Sequence, residues 1–295
     1  MASVLFLIFN RPEPTRIVFE QIRLAKPSNL FVAADGPRLN KNGEYQLCEE
    51  TRSIVKLIDW ECEVKTLFRT ENLGCGKAVS SAVDWFFENV EEGIILEDDC
   101  LPNQSFFTFC EEMLRYYKDD HSVMHIGGTN YQNGIQRGDG SYYFSRFTHI
   151  WGWATWRNRW VLYDFSLEKY KDQSTEGLGR GLTSLLDSVR NNEIDTWDIQ
   201  WFMSVWFNEG LSITPNVNLV KNIGYGIGAT HTFIVPRWLK LMHSGEINNI
   251  TYPSDKKLNS EADIFVRKIM FDHSRFSIKY LFKTIYKIIF RTTFR

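Results

Sequence analysis

Three consecutive acids, Glu97, Asp98 and Asp99, close the aliphatic run of "GIILEDDC" (residues 93–100). Carboxylates at adjacent positions repel one another, and either water or a cation must relieve them. A hard divalent ion such as Mg²⁺ or Mn²⁺ suits such a place, because it is commonly held by one or two carboxylates plus substrate phosphates. The competing reading is a strand that simply ends in water.

Two further stretches carry chemical potential. "NIGYGIGATHT" (222–232) has Gly224, Gly226 and Gly228 at alternate positions, with Thr230 and His231 beside them. Glycines there permit positive φ and close approach of backbone to an anion, and the hydroxyl and imidazole offer hydrogen bonds to phosphate. The spacing matches neither the dinucleotide fingerprint nor the P-loop, so an ordinary glycine-rich loop is the alternative. In "TWDIQWFMSVW", Asp198 stands at a helix start between Trp197 and Trp201. It reads either as a first-turn acid favoured by the helix dipole or as a general base tuned by an apolar setting.

These residues need a frame. "SVLFLIF", "NLFVAADGP", "EVKTLFRT" and "GIILEDDC" read as strands, separated by helical patterns in "TRIVFEQIRLA" from a Thr cap after Pro14, "YQLCEETRSIVKLIDW" and "KAVSSAVDWFFENV". Continuous apolar strands alternating with amphipathic helices predict an α/β fold of Rossmann type, its strands parallel and both sheet faces covered. Ligands of such sheets bind outside the carboxyl ends of the strands, where "NRPEP", "ADGPR" and "EDDC" fall. Past residue 106 the rhythm changes: "SFFTFCEEMLRYYKDD" and "TWDIQWFMSVWFNEG" read as helices, "SVMHIGG", "YYFSRF" and "LSITP" as strands, around a Trp-rich "HIWGWATWRNRW". With no repeat or linker, the reading is one continuous domain over 1–275, with a nucleotide-side half (1–120) and an acceptor-side half (121–235). A tail (276–295) follows in which Lys279, Lys283, Lys287, Arg291 and Arg295 recur every fourth residue beside apolar positions.

Composition narrows the classes. The 295 residues carry a net charge of −2, which argues against a general nucleic-acid binder. Five cysteines without a C-x-x-C pair suggest neither a disulfide framework nor a zinc site, and a reducing cytosol fits. The opening "MASVLFLIFNRPEP" lacks the features of a signal peptide or a spanning helix. Ten Trp are abundant enough to include sugar-stacking platforms as well as core.

The order of these motifs resembles that of nucleotide-sugar-dependent glycosyltransferases of the GT-A fold, in particular the inverting N-acetylglucosaminyltransferase I type and bacterial proteins of that pattern. "GIILEDDC" is similar to the family's "VVEDD"-like metal motif, "GTNYQNG" (128–134) to its "WNDNG"-like loop and "HIWGWATW" to its "GLGW" segment. "WDIQW" is similar to the "WDDW"-like helix start that bears the base, and "GIGATHT" loosely to the loop over the diphosphate. The resemblance spans roughly residues 3–232.

It implies that Arg11 faces the diphosphate, Asp35 takes the uracil edge, and Lys77 lies near a basic position at the nucleotide. Glu97 would contact the donor sugar, Asp98 the ribose, and Asp99 would ligate Mn²⁺ or Mg²⁺. The loop with Gly228, Thr230 and His231 would cover the diphosphate, and Asn130, Trp151 and Trp153 would shape the sugar pocket. Asp198 would be the base. Ile199 and Gln200 lengthen the motif by one residue, which makes Asp195, one turn earlier, the competitor. The expected reaction is inverting transfer of a sugar, N-acetylglucosamine among the candidates, from a UDP-sugar to a hydroxyl. The basic tail suggests a peripheral place at the inner face of the plasma membrane, and hence a surface-glycan or lipid-linked acceptor. The family's animal members carry a membrane anchor, whereas this chain starts almost at its first strand; a cytoplasmic setting is expected. Two rivals stand: a sugar nucleotidyltransferase, whose Gly-rich basic signature "FNRPEPTR" lacks, and a non-catalytic carbohydrate-binding protein built on the Trp-rich half.

Overall fold

The computed structural model describes residues 1–224 and 242–271. The stretches read as strands in the first half form β1 (Ser3–Ile8), β2 (Asn29–Ala34), β3 (Glu63–Phe68) and β4 (Glu92–Glu97). All are parallel: β1 lies between β2 and β4, with Phe6 beside Val32 on one side and Leu96 on the other. Five of the six β1 residues are buried, as expected of a strand covered on both faces. Helices α1 (Pro12–Ala25), α2 (Glu44–Arg52) and α3 (Cys75–Asn89) connect them. The α/β class expected from the sequence is observed.

The α1 start differs from the expected Thr cap. Proline is compatible with the first helical turn, so the helix begins at Pro12 and Arg11 becomes its N-cap. Thr15 lies inside the first turn, its hydroxyl donating to the Arg11 carbonyl at 2.6 Å. That places the Arg11 side chain at the carboxyl edge of the sheet.

After β4 come β5 (Cys100–Pro102), α4 (Gln104–Tyr116), β6 (Val123–Gly127), β7 (Tyr142–Ser145), β8 (Trp153–Trp156) and the short α5 (Arg157–Trp160). Then follow α6 (Arg180–Arg190), α7 (Asp198–Phe207), β9 (Leu211–Pro215), β10 (Val220–Asn222) and α8 (Ser260–Met270). The main sheet has eight strands in the order β3-β2-β1-β4-β8-β6-β9-β7, and β5 pairs with β10 apart from it. The Trp-rich segment supplies β8, which runs antiparallel to both β4 and β6 and thereby joins the two halves.

Alternation along β1 and β4 sends side chains to two cores. Val4, Phe6, Ile94 and Leu96 pack with Val18, Phe19 and Ile22 of α1. Leu5 and Ile95 face the other side, with Val83, Phe86 and Phe87 of α3 and the indoles of Trp153, Trp197 and Trp201. Trp153 stacks on Trp197 at 5.5 Å and on the His125 ring at 5.4 Å. The second core therefore lies directly beneath the start of α7.

Candidate active site

The carboxyl ends of β1 and β4 converge on an ion cluster. Arg11 Nη1 donates to Asp99 Oδ2 at 2.9 Å and Nε to Asp98 Oδ2 at 3.2 Å, while Nη2 binds Asp98 Oδ1. Fork geometry of this kind is what a planar guanidinium offers to carboxylates. Burial works against the Arg11 charge, but Asp98 and Asp99 outweigh it and hold the guanidinium firmly protonated. The cation that the adjacent acids require is thus supplied, for two of the three, from within the chain.

The three acids have different surroundings. The Asp98 side chain is 4% exposed and is spent on Arg11, so the expected contact with a ribose is not open to it in this arrangement. Asp99 is the more accessible at 17%, its backbone carbonyl accepting from the Ile223 amide at 2.8 Å. A Cβ at Gly224 would stand 2.4 Å from Asp99 Oδ2, so the glycine stretch leaves β10 directly against this carboxylate. The Glu97 side chain, at the end of β4, makes no hydrogen bond among the described residues. Burial, then repulsion from Asp99 and Asp98, pushes its carboxyl up to about 8, and Asp198 adds to the repulsion. Glu97 is therefore mostly protonated at neutral pH.

Asp198 begins α7, about one hundred residues away in sequence, yet its charge is felt at Glu97. The Thr196 hydroxyl donates to Asp198 Oδ1, and burial raises the carboxyl above its ordinary range. Cys75, half-buried at the start of α3, lies among all these groups: burial, Glu97, Asp195, Asp198 and Asp35 push its thiol far up. A set of acids read from separate motifs is brought to one edge of the sheet.

Other expected residues are placed differently. Arg11, expected at the diphosphate, is bonded to the two acids. Asp35 is turned into the protein: it accepts from the amides of Gly36 and Leu73 at 2.9 Å, from Gly74 at 3.2 Å and from Asn72 Nδ2 at 2.9 Å. Its carboxylate holds the 72–74 loop instead of facing a base. Asp195 likewise accepts from the Cys75 and Gly76 amides, both at 2.9 Å, capping α3. Lys77 is exposed in the first turn of that helix. Gly228, Thr230 and His231, like the 276–295 tail, lie outside the described residues.

The sugar-pocket expectation needs correction. Trp153 is fully buried, clamped between Trp197 and His125, and presents no face to a ligand. Asn130 is buried too; its Nδ2 donates to the Pro215 carbonyl at 2.6 Å and its Oδ1 accepts from the Gln132 amide at 3.0 Å. Trp151 is buried against Tyr131, ring centroids 5.8 Å apart. The Trp-rich segment is chiefly core, which removes most of the platform on which a purely carbohydrate-binding reading rested.

Four contributors escaped the sequence reading. Thr196 fixes Asp198; Gly74 and Gly76 admit the Asp195 carboxylate; and Glu44 ties two site loops together. Buried Glu44 accepts from Asn10 Nδ2 at 2.9 Å, from the loop after β1, and from the Arg38 amide at 2.7 Å, from the loop after β2. The glycines flanking Cys75 were a legible signal of close approach; Thr196 and Glu44 carried none.

No family model and no curated protein sequence matches the chain. Among solved structures, HddC from Yersinia pseudotuberculosis aligns with 58% of this chain and 80% of its own, at 13% identity and TM-score 0.33. The 4-diphosphocytidyl-2C-methyl-D-erythritol synthase of Anaerococcus prevotii aligns with 63% of this chain and 84% of its own, at 11% identity and TM-score 0.33. Residues 1–349 of S. aureus TarS align at 12% identity and TM-score 0.39, covering 74% of this chain and 59% of theirs. These are partial likenesses of architecture and assign no activity.

Proposed function

We propose that the protein is a nucleotide-sugar-dependent glycosyltransferase acting by direct displacement. The observation that carries this reading is the meeting of Asp198, at the head of α7, with Glu97 and the Arg11-bound acid pair at the carboxyl ends of β1 and β4. Two half-buried carboxyls with raised affinity for protons, beside a strongly ionic cluster, are what acid–base work at neutral pH requires.

In the reaction, an acceptor oxygen bonds to the anomeric carbon as the bond to the diphosphate oxygen breaks. Its proton passes to Asp198, which the Thr196 hydroxyl holds in place, and the electron pair departs with the diphosphate. Glu97, protonated, donates a hydrogen bond to a hydroxyl of the donor sugar. Among the described residues no group of three or more metal-ligating side chains converges. Asp99, the more exposed of the Arg11-bound pair, is the carboxylate that would hold a Mn²⁺ or Mg²⁺ ion, in competition with the Arg11 guanidinium on its Oδ2. When bound, that ion supplies Lewis-acid neutralisation of the leaving group.

UDP-N-acetylglucosamine is the first donor to try, because the order of motifs resembles the N-acetylglucosaminyltransferase I type. The acceptor reading, a surface-glycan or lipid-linked hydroxyl, rests on the basic residues of 276–295; no helix among the described residues is long and apolar enough to cross a membrane. The test is product analysis with a panel of UDP-sugars and Mn²⁺. Slow release of UDP that Asp198→Asn abolishes, with donor binding retained, supports transfer. Formation of UTP from a UDP-sugar and pyrophosphate would instead identify a nucleotidyltransferase.

A further inference from the structure

The segment entering α3 presents its backbone N–H groups in succession, and two aspartates from distant parts of the chain divide them. Asp35, at the end of β2, takes Leu73 and Gly74. Asp195, from the loop before α7, takes Cys75 through Oδ2 and Gly76 through Oδ1, each at 2.9 Å. The first amides of a helix have no partner within it, so a carboxylate across them both satisfies the donors and meets the positive end of the dipole.

The surrounding sequence is cut to fit this contact. Gly74 has φ +79°, and a Cβ on it would stand 2.6 Å from Asp195 Oδ2. A Cβ on Gly76 would stand 2.6 Å from Asp195 Oδ1 and 2.8 Å from the Thr196 carbonyl. Any side chain at either glycine would drive the carboxylate off the helix. Beyond Asp195 the chain is held again: Thr196 is buried and bonded to Asp198, and Trp197 is fully buried against Trp153. The residues that deliver Asp198 are therefore anchored to α3 at one end and to the second core at the other.

We propose that Asp195 is a positioning residue for Asp198: by capping α3 from the far half of the sheet, it fixes the start of α7 and hence where the Asp198 carboxylate stands relative to Glu97. The consequence for catalysis rests on the transferase reading above; the clamp itself does not. A displacement of about 1 Å in a reacting group costs roughly 100-fold in rate, and that is the loss expected in kcat for Asp195→Ala, with donor KM held within about threefold. Asp195→Asn, which keeps one acceptor for the two amides, falls between.

Gly76→Ala separates this proposal from a purely local effect. Alanine is the better helix former, so propensity alone predicts a more stable protein. The clamp predicts the opposite: lower stability, the kcat loss of Asp195→Ala, and a much smaller further loss when the two changes are combined. Two readouts need no activity. The Cys75 thiol is held up by burial and by carboxylates that include Asp195. Its alkylation by iodoacetamide should therefore rise at least about tenfold in Asp195→Ala as the thiolate becomes accessible. The near-ultraviolet circular dichroism of the Trp153–Trp197 stack should change with it.

Unchanged alkylation, or a Gly76→Ala protein as stable and active as the parent, overturns the proposal. So does a rise in alkylation without a fall in kcat. Should the parent turn over no nucleotide sugar while alkylation and the tryptophan signal respond as expected, the transferase reading fails and the placement of Asp198 by Asp195 stands.

Discussion

Replacing Arg11 by methionine, similar in length but uncharged, tests whether the acid pair depends on its internal cation. Two unit charges 4 Å apart attract by about 4 kcal/mol at an effective dielectric near 20. Arg11 meets two carboxylates, one of them almost fully buried. Removing one partner of a buried pair costs roughly 3–5 kcal/mol, because the remaining charge is left without compensation. Arg11 itself is 31% exposed, which places the expectation near the lower end, about 3 kcal/mol. For a chain of this size that lowers the melting temperature by roughly 5–10 °C at pH 7.5. The loss should shrink as pH falls toward 4 and the stranded carboxylates take up protons. Adding Asp98→Asn should recover most of it. Mn²⁺ alone should stabilise Arg11→Met more than the parent, since the cation position is then open. Differential scanning fluorimetry with and without Mn²⁺ reads all of these. A melting temperature within about 1 °C of the parent at pH 7.5 would mean that Arg11 is a solvent-screened ion pair and that the acids are relieved by something else.

Two titrations follow from burial. Glu97 binds its proton more tightly in the folded protein, about 8 against an ordinary 4.5, so the stability this provides is present below pH 4.5 and is lost as pH rises through 8. The displacement bounds the effect at ~5 kcal/mol, and partial exposure brings it to about 2. Glu97→Gln should remove this slope, seen as a difference between the two urea-denaturation curves that grows from pH 5 to pH 9; a constant difference would show an ordinary carboxyl. His125 and His149 are displaced the other way by burial, from 6.5 down to about 3. The unfolded chain then takes up protons first, and stability is lost as pH falls below 6.5, by ~2 kcal/mol per ring at pH 5. His125→Gln should lower the dependence of unfolding free energy on pH by one proton between pH 6 and pH 4.

How much of this was legible depended on whether a residue's role is local. The four parallel strands follow from aliphatic runs and helical spacing because burial on two faces demands them. The carboxyl edge as the site follows from strand direction alone. β8 was not legible: it is four residues long and buried on both faces, and its pairing with β4 is set by residues far away in sequence. The same blindness affected Trp153 and Asn130. An aromatic or amide in a motif looks the same in sequence whether it faces a ligand or a backbone carbonyl, and here Trp197 over Trp153 and the Pro215 carbonyl on Asn130 come from distant parts of the chain.

The aspartates make the limit sharper. Asp35, Asp98, Asp99, Asp195 and Asp198 all fall where a ligand-binding acid is expected; Asp99 shares Arg11 but is the more exposed of that pair, and Asp198 has one oxygen on Thr196. The others are consumed by donors the fold cannot otherwise satisfy: Asp98 by Arg11, Asp35 by the 72–74 turn, Asp195 by the first amides of α3. A buried donor left unpaired costs about as much as a good hydrogen bond gains, so such demands outrank ligand binding in deciding where a carboxylate points. Backbone need can be anticipated from sequence in one respect. A helix entered through Gly74-Cys75-Gly76 offers no side chain able to cap itself, and its glycines leave the room for a carboxylate from elsewhere. On that logic an acid near a base motif competes between capping and catalysis when an uncapped helix start lies within its reach, and of the two acids it is Asp195 whose oxygens both go to α3.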